Sequence, residues 1–128
     1  MRHFIAYHNR AKMGQSLIES GAFEIFTNNS ISNPVGETMW VVEGVTEPER
    51  DYRLGSKFIV TDVDDATGED FKSVIRGTGD PLPQGLSIKE EPWFPELFRQ
   101  SARFSRGVHE IKDHQIIDGL MQFAASHS

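Results

Sequence analysis

The chain has 128 residues, of which 38% are hydrophobic and 25% charged, and its formal net charge is −6. That length carries one hydrophobic core rather than two, and no apolar run approaches the roughly 20 residues that a membrane span needs. The absence of cysteine excludes disulfides and thiolate metal sites and points to a reducing cytoplasm, while the acidic balance argues against indiscriminate coating of nucleic acid.

In chain order, HFIAYHN (3–9) predicts a strand, a short run of aromatic and apolar residues that breaks at Asn9. The opening MRHFIAYHNRAKMG returns to charge too soon for a secretory signal. Asn9 is placed to cap a short helix to Ser20, with Met13, Leu17 and Ile18 inward and Gly21 ending it. FEIF (23–26) fits either a strand or the tail of that helix. FTNNSISNPVGET (26–38) is polar, contains Pro34 and Gly36, and predicts a loop.

TMWVVEGV (38–45) is a dense apolar run that predicts a strand buried on both faces. After the polar TEPERDY, RLGSKFIVTDV (53–63) predicts a second strand with a bulge or bend at Gly55. DDATGED (64–70) has the residues of a tight reversal and FKSVIRG (71–77) alternates as the returning strand, so the two form a hairpin. TGDPLPQG (78–85), with two prolines, predicts a rigid loop, and LSIKEE (86–91) a short strand. Pro92 is expected to start a helix through about Ser101, with Trp93, Leu97 and Phe98 on its face. GVHEI (107–111) predicts a short closing strand, and Asp113 the cap of a last helix, HQIIDGLMQFAASH, with Ile116, Ile117, Leu120 and Ala124 inward. A single α+β domain over residues 1–128 follows, with a mixed, strongly bent sheet or small barrel and helices beside it.

Charge is segregated along the chain. Arg99, Arg103, Arg106 and Lys112 outnumber Glu96 and Glu110 between residues 93 and 112, whereas residues 46–70 hold eight acidic side chains against Arg50, Arg53 and Lys57. The acidic stretch DVDDATGEDF is not a calcium loop: counted from Asp62, Ala66 falls where a ligand is needed, Thr67 where glycine is needed and Ser73 where a bidentate Glu is needed. It reads as a solvated hairpin tip. The histidines at 3, 8, 109, 114 and 127 show no HExxH spacing, no GxSxG elbow is present, and GTGDPLPQG lacks the GKS/T of a phosphate loop. No cofactor, metal or enzyme motif is found. His8 and Asn9, at the end of the first strand, are candidates for a pair that hydrogen-bonds a ligand in a central cleft.

The aromatic residues point further. Trp40 is either core or a pocket wall, and Trp93, Phe94 and Phe98 flank a helix turn where core packing is the ordinary reading. Phe104 lies between Arg103 and Arg106, and an aromatic plane beside guanidinium groups suits a splayed nucleobase through stacking and phosphate pairing.

The order of MWVVEG, YRLGSKFIVTDV…FKSVIRGTG and WFPELFRQSARFSRGVHEI after a strand ending in a polar pair resembles the PUA-like superfamily over nearly the whole chain. It is most similar to the EVE, YTH and ASCH branches and to the small domains of modification-dependent restriction systems. That resemblance implies a bent, mostly antiparallel β-barrel with flanking helices and a pocket that takes a modified, for instance methylated, base. It places Tyr7, His8, Asn9 and Trp40 at the cleft and Arg103, Phe104 and Ser105 at its closing segment; Trp93 is a further candidate ligand-binding residue. The chain departs from the pattern in lacking a clear three-aromatic cage and in its acidic charge.

The leading expectation is a non-enzymatic reader of DNA or RNA, with Phe104 and Trp40 stacking, His8 and Asn9 reading the base edge, and Arg99, Arg103 and Arg106 meeting phosphates. A nuclease supplied by another chain is a further expected partner. Two alternatives stand beside it. One is a small enzyme on a nucleoside or nucleotide, with Glu43 or Asp80 as general base. The other is a protein-interaction module that uses the aromatic and arginine segment as its contact patch.

Overall fold

The computed structural model describes residues 2–9, 24–27, 34–45, 50–65, 73–102 and 108–127. Residues 10–20 of the expected helix and 66–70 of the tight reversal expected at 64–70 lie outside them, while Asp64 and Asp65 are in strand. Six strands, β1 (His3–Asn9), β2 (Glu24–Thr27), β3 (Thr38–Val45), β4 (Asp51–Asp65), β5 (Ser73–Ser87) and β6 (His109–Ile111), form one sheet in the order β2-β5-β4-β3-β1-β6. β1 runs parallel to β3 and every other pairing is antiparallel, so the sheet is mixed. Two helices, α1 (Phe94–Gln100) and α2 (His114–His127), complete an α+β fold among the described residues. No helix there is long and apolar enough to cross a membrane. The expected strands at 3–9 and 38–45, the β4–β5 hairpin and the closing strand and helix are all present, and residues 24–26 of FEIF lie in strand β2.

β3 is the centre of the sheet, and its apolar run is consumed by burial on both sides. Trp40 and Val42 join Ile5 of β1, Tyr52 and Leu54 of β4, and Ile88 in a core that receives Phe94 and Leu97 of α1 and Ile116, Leu120 and Phe123 of α2. Met39 and Val41 project the other way, to a second core with Phe4, Ala6, Ile25, Phe58, Val60, Ile75 and Val108. Both described helices pack on the first face and neither contributes to the second.

β4 passes from one core to the other. Tyr52 and Leu54 lie in the helix-covered core, yet Phe58 and Val60 lie in the second, although all four share one parity along the strand. The cause is a bulge: the register against β3 jumps from Val42↔Leu54 to Val41↔Ser56, leaving Gly55 as the extra residue. An extra residue inverts the alternation beyond it and bends the strand. A second irregularity falls between Val60 and Asp62 on the β5 side.

Two expectations are corrected. Residues 78–85 are not a loop, because β5 continues through them to Ser87. The ladder jumps there from Ser56↔Pro81 to Leu54↔Leu86, so the prolines stand where pairing is interrupted and a missing N–H donor is tolerated. LSIKEE is then the tail of β5, and only Leu86 and Ser87 belong to strand. The first helix does not start at Pro92. Trp93 is its N-cap and Pro95 occupies the first turn, where an absent N–H costs no intrahelical bond. Its buried residues are Phe94 and Leu97.

At α2 the Asp113 carboxylate accepts from the Gln115 N–H at 2.9 Å and the Ile116 N–H at 3.4 Å, as an N-cap should. Gly119, within this helix, is the seat of the Trp93 indole, which also meets Phe123 edge-on at 6.3 Å. A β-carbon at 119 would overlap that ring. Gly119→Ala should therefore lower stability by roughly 1–3 kcal/mol from overpacking, against the ~1 kcal/mol gain that alanine normally brings to a helix interior. Thermal unfolding reads the sign directly, and a raised Tm would refute this packing.

Candidate functional site

The second face carries two polar side chains inside an apolar surround. Glu43 is two residues beyond Val41 on β3 and so shares its face; Ser56 is the cross-strand partner of Val41. Glu43 is 3% exposed and Ser56 4%. The Gly55 bulge puts both on one face, and the Glu43 Oε2 lies 3.6 Å from the β-carbon position of Gly55, the residue next to Ser56. Among the described residues the Ser56 hydroxyl has no hydrogen-bond partner. A buried hydroxyl in that state costs about 1–3 kcal/mol, and folds retain such groups where something else uses them. Across the ladder from Glu43, Arg53 directs its Nε to Asp51 at 3.1 Å. Asp51 also accepts from the Ser87 hydroxyl at 2.8 Å and the Tyr52 N–H at 2.9 Å. Burial pushes its carboxyl up, but the Ser87, Arg53 and Tyr52 donors outweigh this and hold it below the ordinary range. The position on β1 in register with Glu43 is His8, and with Gly44 it is Asn9.

Tyr7, Trp40 and Trp93 are brought to the other, helix-covered face. Trp40 has no exposed surface, and its Nε1–H donates to His3 Nδ1 at 2.9 Å with the two rings stacked at 6.2 Å. Lys57 Nζ sits 5.3 Å from the Trp40 ring centre. Trp93 is partly buried beside α2, and Tyr7 lies over Gly44, where a β-carbon would overlap its phenol. Tyr7 and Phe98 are the half-buried members of an aromatic cluster with Tyr52 and Phe94, whose ring centres are 5.3–6.2 Å apart. Burial, then the neighbouring Tyr52, raises the Tyr7 phenol above its usual pKa.

Of the arginines expected at phosphates, Arg99 is exposed and paired with Glu96, whose carboxyl its hydrogen bond, joined by one from Gln100, lowers to about 2. Arg103, Phe104, Ser105 and Arg106 lie outside the described residues. Among the described residues, no group of three or more His, Asp or Glu side chains could hold a metal ion. No family model, curated protein or solved structure matches the chain.

Glu43 was legible as a lone carboxylate in an apolar strand. Ser56 was missed, and its only signal was the adjacent Gly55.

Two outcomes follow from this geometry. Ser56→Ala removes a buried hydroxyl without a partner, so the variant should match or exceed the parent by up to ~1 kcal/mol in urea unfolding; a loss above that would show that the hydroxyl is bonded. His3 must be neutral at Nδ1 to accept from Trp40, and burial, then the N-terminal amine and Lys57, lower its pKa below 6.5. The unfolded chain then takes up this proton first. His3 contributes its full stability above pH 6.5, and the contribution falls as pH drops from there to the lower folded value. Tm measured from pH 7.5 to 5 should decline less steeply in His3→Gln, which keeps an acceptor but does not titrate; parallel curves would remove His3 from the account.

Proposed function

We propose that this chain is a nucleobase-binding domain, a reader of DNA or RNA in which an unstacked, modified base is held within a PUA-like, barrel-like bend of the sheet. The observation that carries the reading is the Glu43–Ser56 pair: buried hydrogen-bonding groups, one without a partner, on the face that neither described helix covers. A base brings both a flat apolar body and an edge of hydrogen-bonding groups, which suits polar groups set in an apolar wall. The bulges of β4 support a bend around such a pocket. His8, in register with Glu43, is within the same stretch of β1 and β3. Arg103 and Arg106 meet phosphates in this reading, Phe104 stacks on the base, and Arg99 exchanges its exposed Glu96 contact for a phosphate. Flipping costs a few kcal/mol, least for a single-stranded or modified base, and a small set of contacts offsets it.

A second reading has one observation in its favour. Glu43 is a buried carboxylate, and a carboxylate can serve as a general base on a nucleoside or nucleotide. Turnover of a nucleoside by the pure protein, abolished in Glu43→Gln, would establish it in place of the reader.

For the reader, tryptophan fluorescence titrated with short single- and double-stranded DNA and RNA, with and without methylated bases, is the direct measurement. Binding should weaken with salt, with a log–log slope of about −2 to −3 if three arginines each displace a counterion. A methylated base should bind more tightly than its parent. Absence of binding at low salt to every strand overturns the proposal.

A further inference from the structure

We propose that Met121 is a redox-sensitive modification site: a peroxide converts its thioether to a sulfoxide, and the new oxygen draws the Lys57 ammonium away from the Trp40 ring. Met121 lies on α2 and is 43% exposed, whereas Met39, the other methionine among the described residues, has no exposed surface. Lys57, on β4, is the cross-strand partner of Trp40. Its Nζ lies 3.9 Å from the Met121 Sδ and 5.3 Å from the centre of the Trp40 ring. Among the described residues Lys57 makes no ion pair with a carboxylate, so the thioether and the indole face hold its charge in place. Both are soft partners: a thioether sulfur is a weak acceptor, and the ring attracts a cation only through its quadrupole.

Oxidation changes the first of them. The sulfur lone pair attacks one oxygen of hydrogen peroxide, an S–O bond forms as the O–O bond breaks, and the sulfur is oxidised by two electrons. The second oxygen leaves as water, carrying the proton released from the first. A sulfoxide oxygen accepts far more strongly than a thioether, and a hydrogen bond donated by an ammonium is charge-assisted. The 3.9 Å between Sδ and Nζ accommodates an S–O bond followed by a hydrogen bond bent at the oxygen. Oxidation of a core methionine disrupts packing, but at Met121 the added polarity meets solvent and a cation. The product ties α2 to β4 through Lys57, and sulfoxide reductases reverse it.

The test treats the whole chain with graded hydrogen peroxide, maps the methionines by peptide mass spectrometry and follows the Lys57 ε protons by NMR. Met121 should gain one oxygen about tenfold faster than Met39 or more. In the untreated chain the Trp40 ring current shields the Lys57 ε protons. In the Met121 sulfoxide they should return towards their ordinary position, and reductases for both sulfoxide epimers should restore the first spectrum. Met121→Leu keeps the apolar body without an oxidisable sulfur, so peroxide should leave those protons where they were. Conversion of Met39 in step with Met121 in the folded chain would overturn the site, because exposure would then not set the order. Lys57 ε protons that stay shielded in the Met121 sulfoxide would overturn the movement of the ammonium, and so would an equal displacement in peroxide-treated Met121→Leu. Should Met121→Leu fail to fold by circular dichroism, reversal by the reductases in the parent chain decides.

Discussion

One extra residue in β4 sets what each face of this sheet presents. Without the Gly55 bulge, Tyr52, Leu54, Ser56, Phe58 and Val60 would all lie on one side, and the helices would have to cover an apolar stripe running the length of the strand. With it, Tyr52 and Leu54 seal the helix-covered core and Phe58 and Val60 build the second one. The same inversion turns Ser56 onto the face of Val41 and Glu43. The polar pair is therefore a product of the bulge, not of either strand alone. Bulges next to sites re-aim side chains in this way, and they also bend the sheet that carries them.

The two faces differ in how completely their chemistry is satisfied. On the helix-covered face, Trp40 spends its one donor on His3, Trp93 rests on Gly119, and Tyr7 lies over Gly44. Each ring is fixed by a neighbour small enough or polar enough to receive it. On the second face, apolar packing is interrupted by the buried Glu43 carboxylate and by a Ser56 hydroxyl with no hydrogen-bond partner among the described residues. Local rules are obeyed on one side of the sheet and broken on the other, and departures of that kind concentrate where a protein does something besides fold.

Much of the framework was legible in the sequence because its signals are local. The apolar run of β3, the Asp113 cap and the hairpin of β4 and β5 each rest on residues within a few positions of one another. What was not legible depends on pairing across strands. The prolines of 78–85 signal a break, but whether a break ends a strand or interrupts a ladder is decided by the partner strand, here at Ser56 and Leu54. The bulge expected at Gly55 is present, but the period-two pattern from Tyr52 to Val60 does not itself show that Ser56 turns to the face of Val41 and Glu43. Trp40 shows the opposite limit: nothing in MWVVEGV distinguishes a pocket wall from core, and the ring proves to be wholly buried. The pairing of Arg99 with Glu96 was readable at the i, i+3 spacing and bears on how freely that cation is offered to a phosphate.

The acidic balance of the chain fits a reader that depends on its base contacts. Affinity for the phosphate backbone is the same for every sequence, and a protein rich in it binds everywhere before it reads anything. A net charge of −6 holds that common term down. Discrimination then rests on the few groups that meet a base edge, and each counts for more because less of the total is indifferent to sequence.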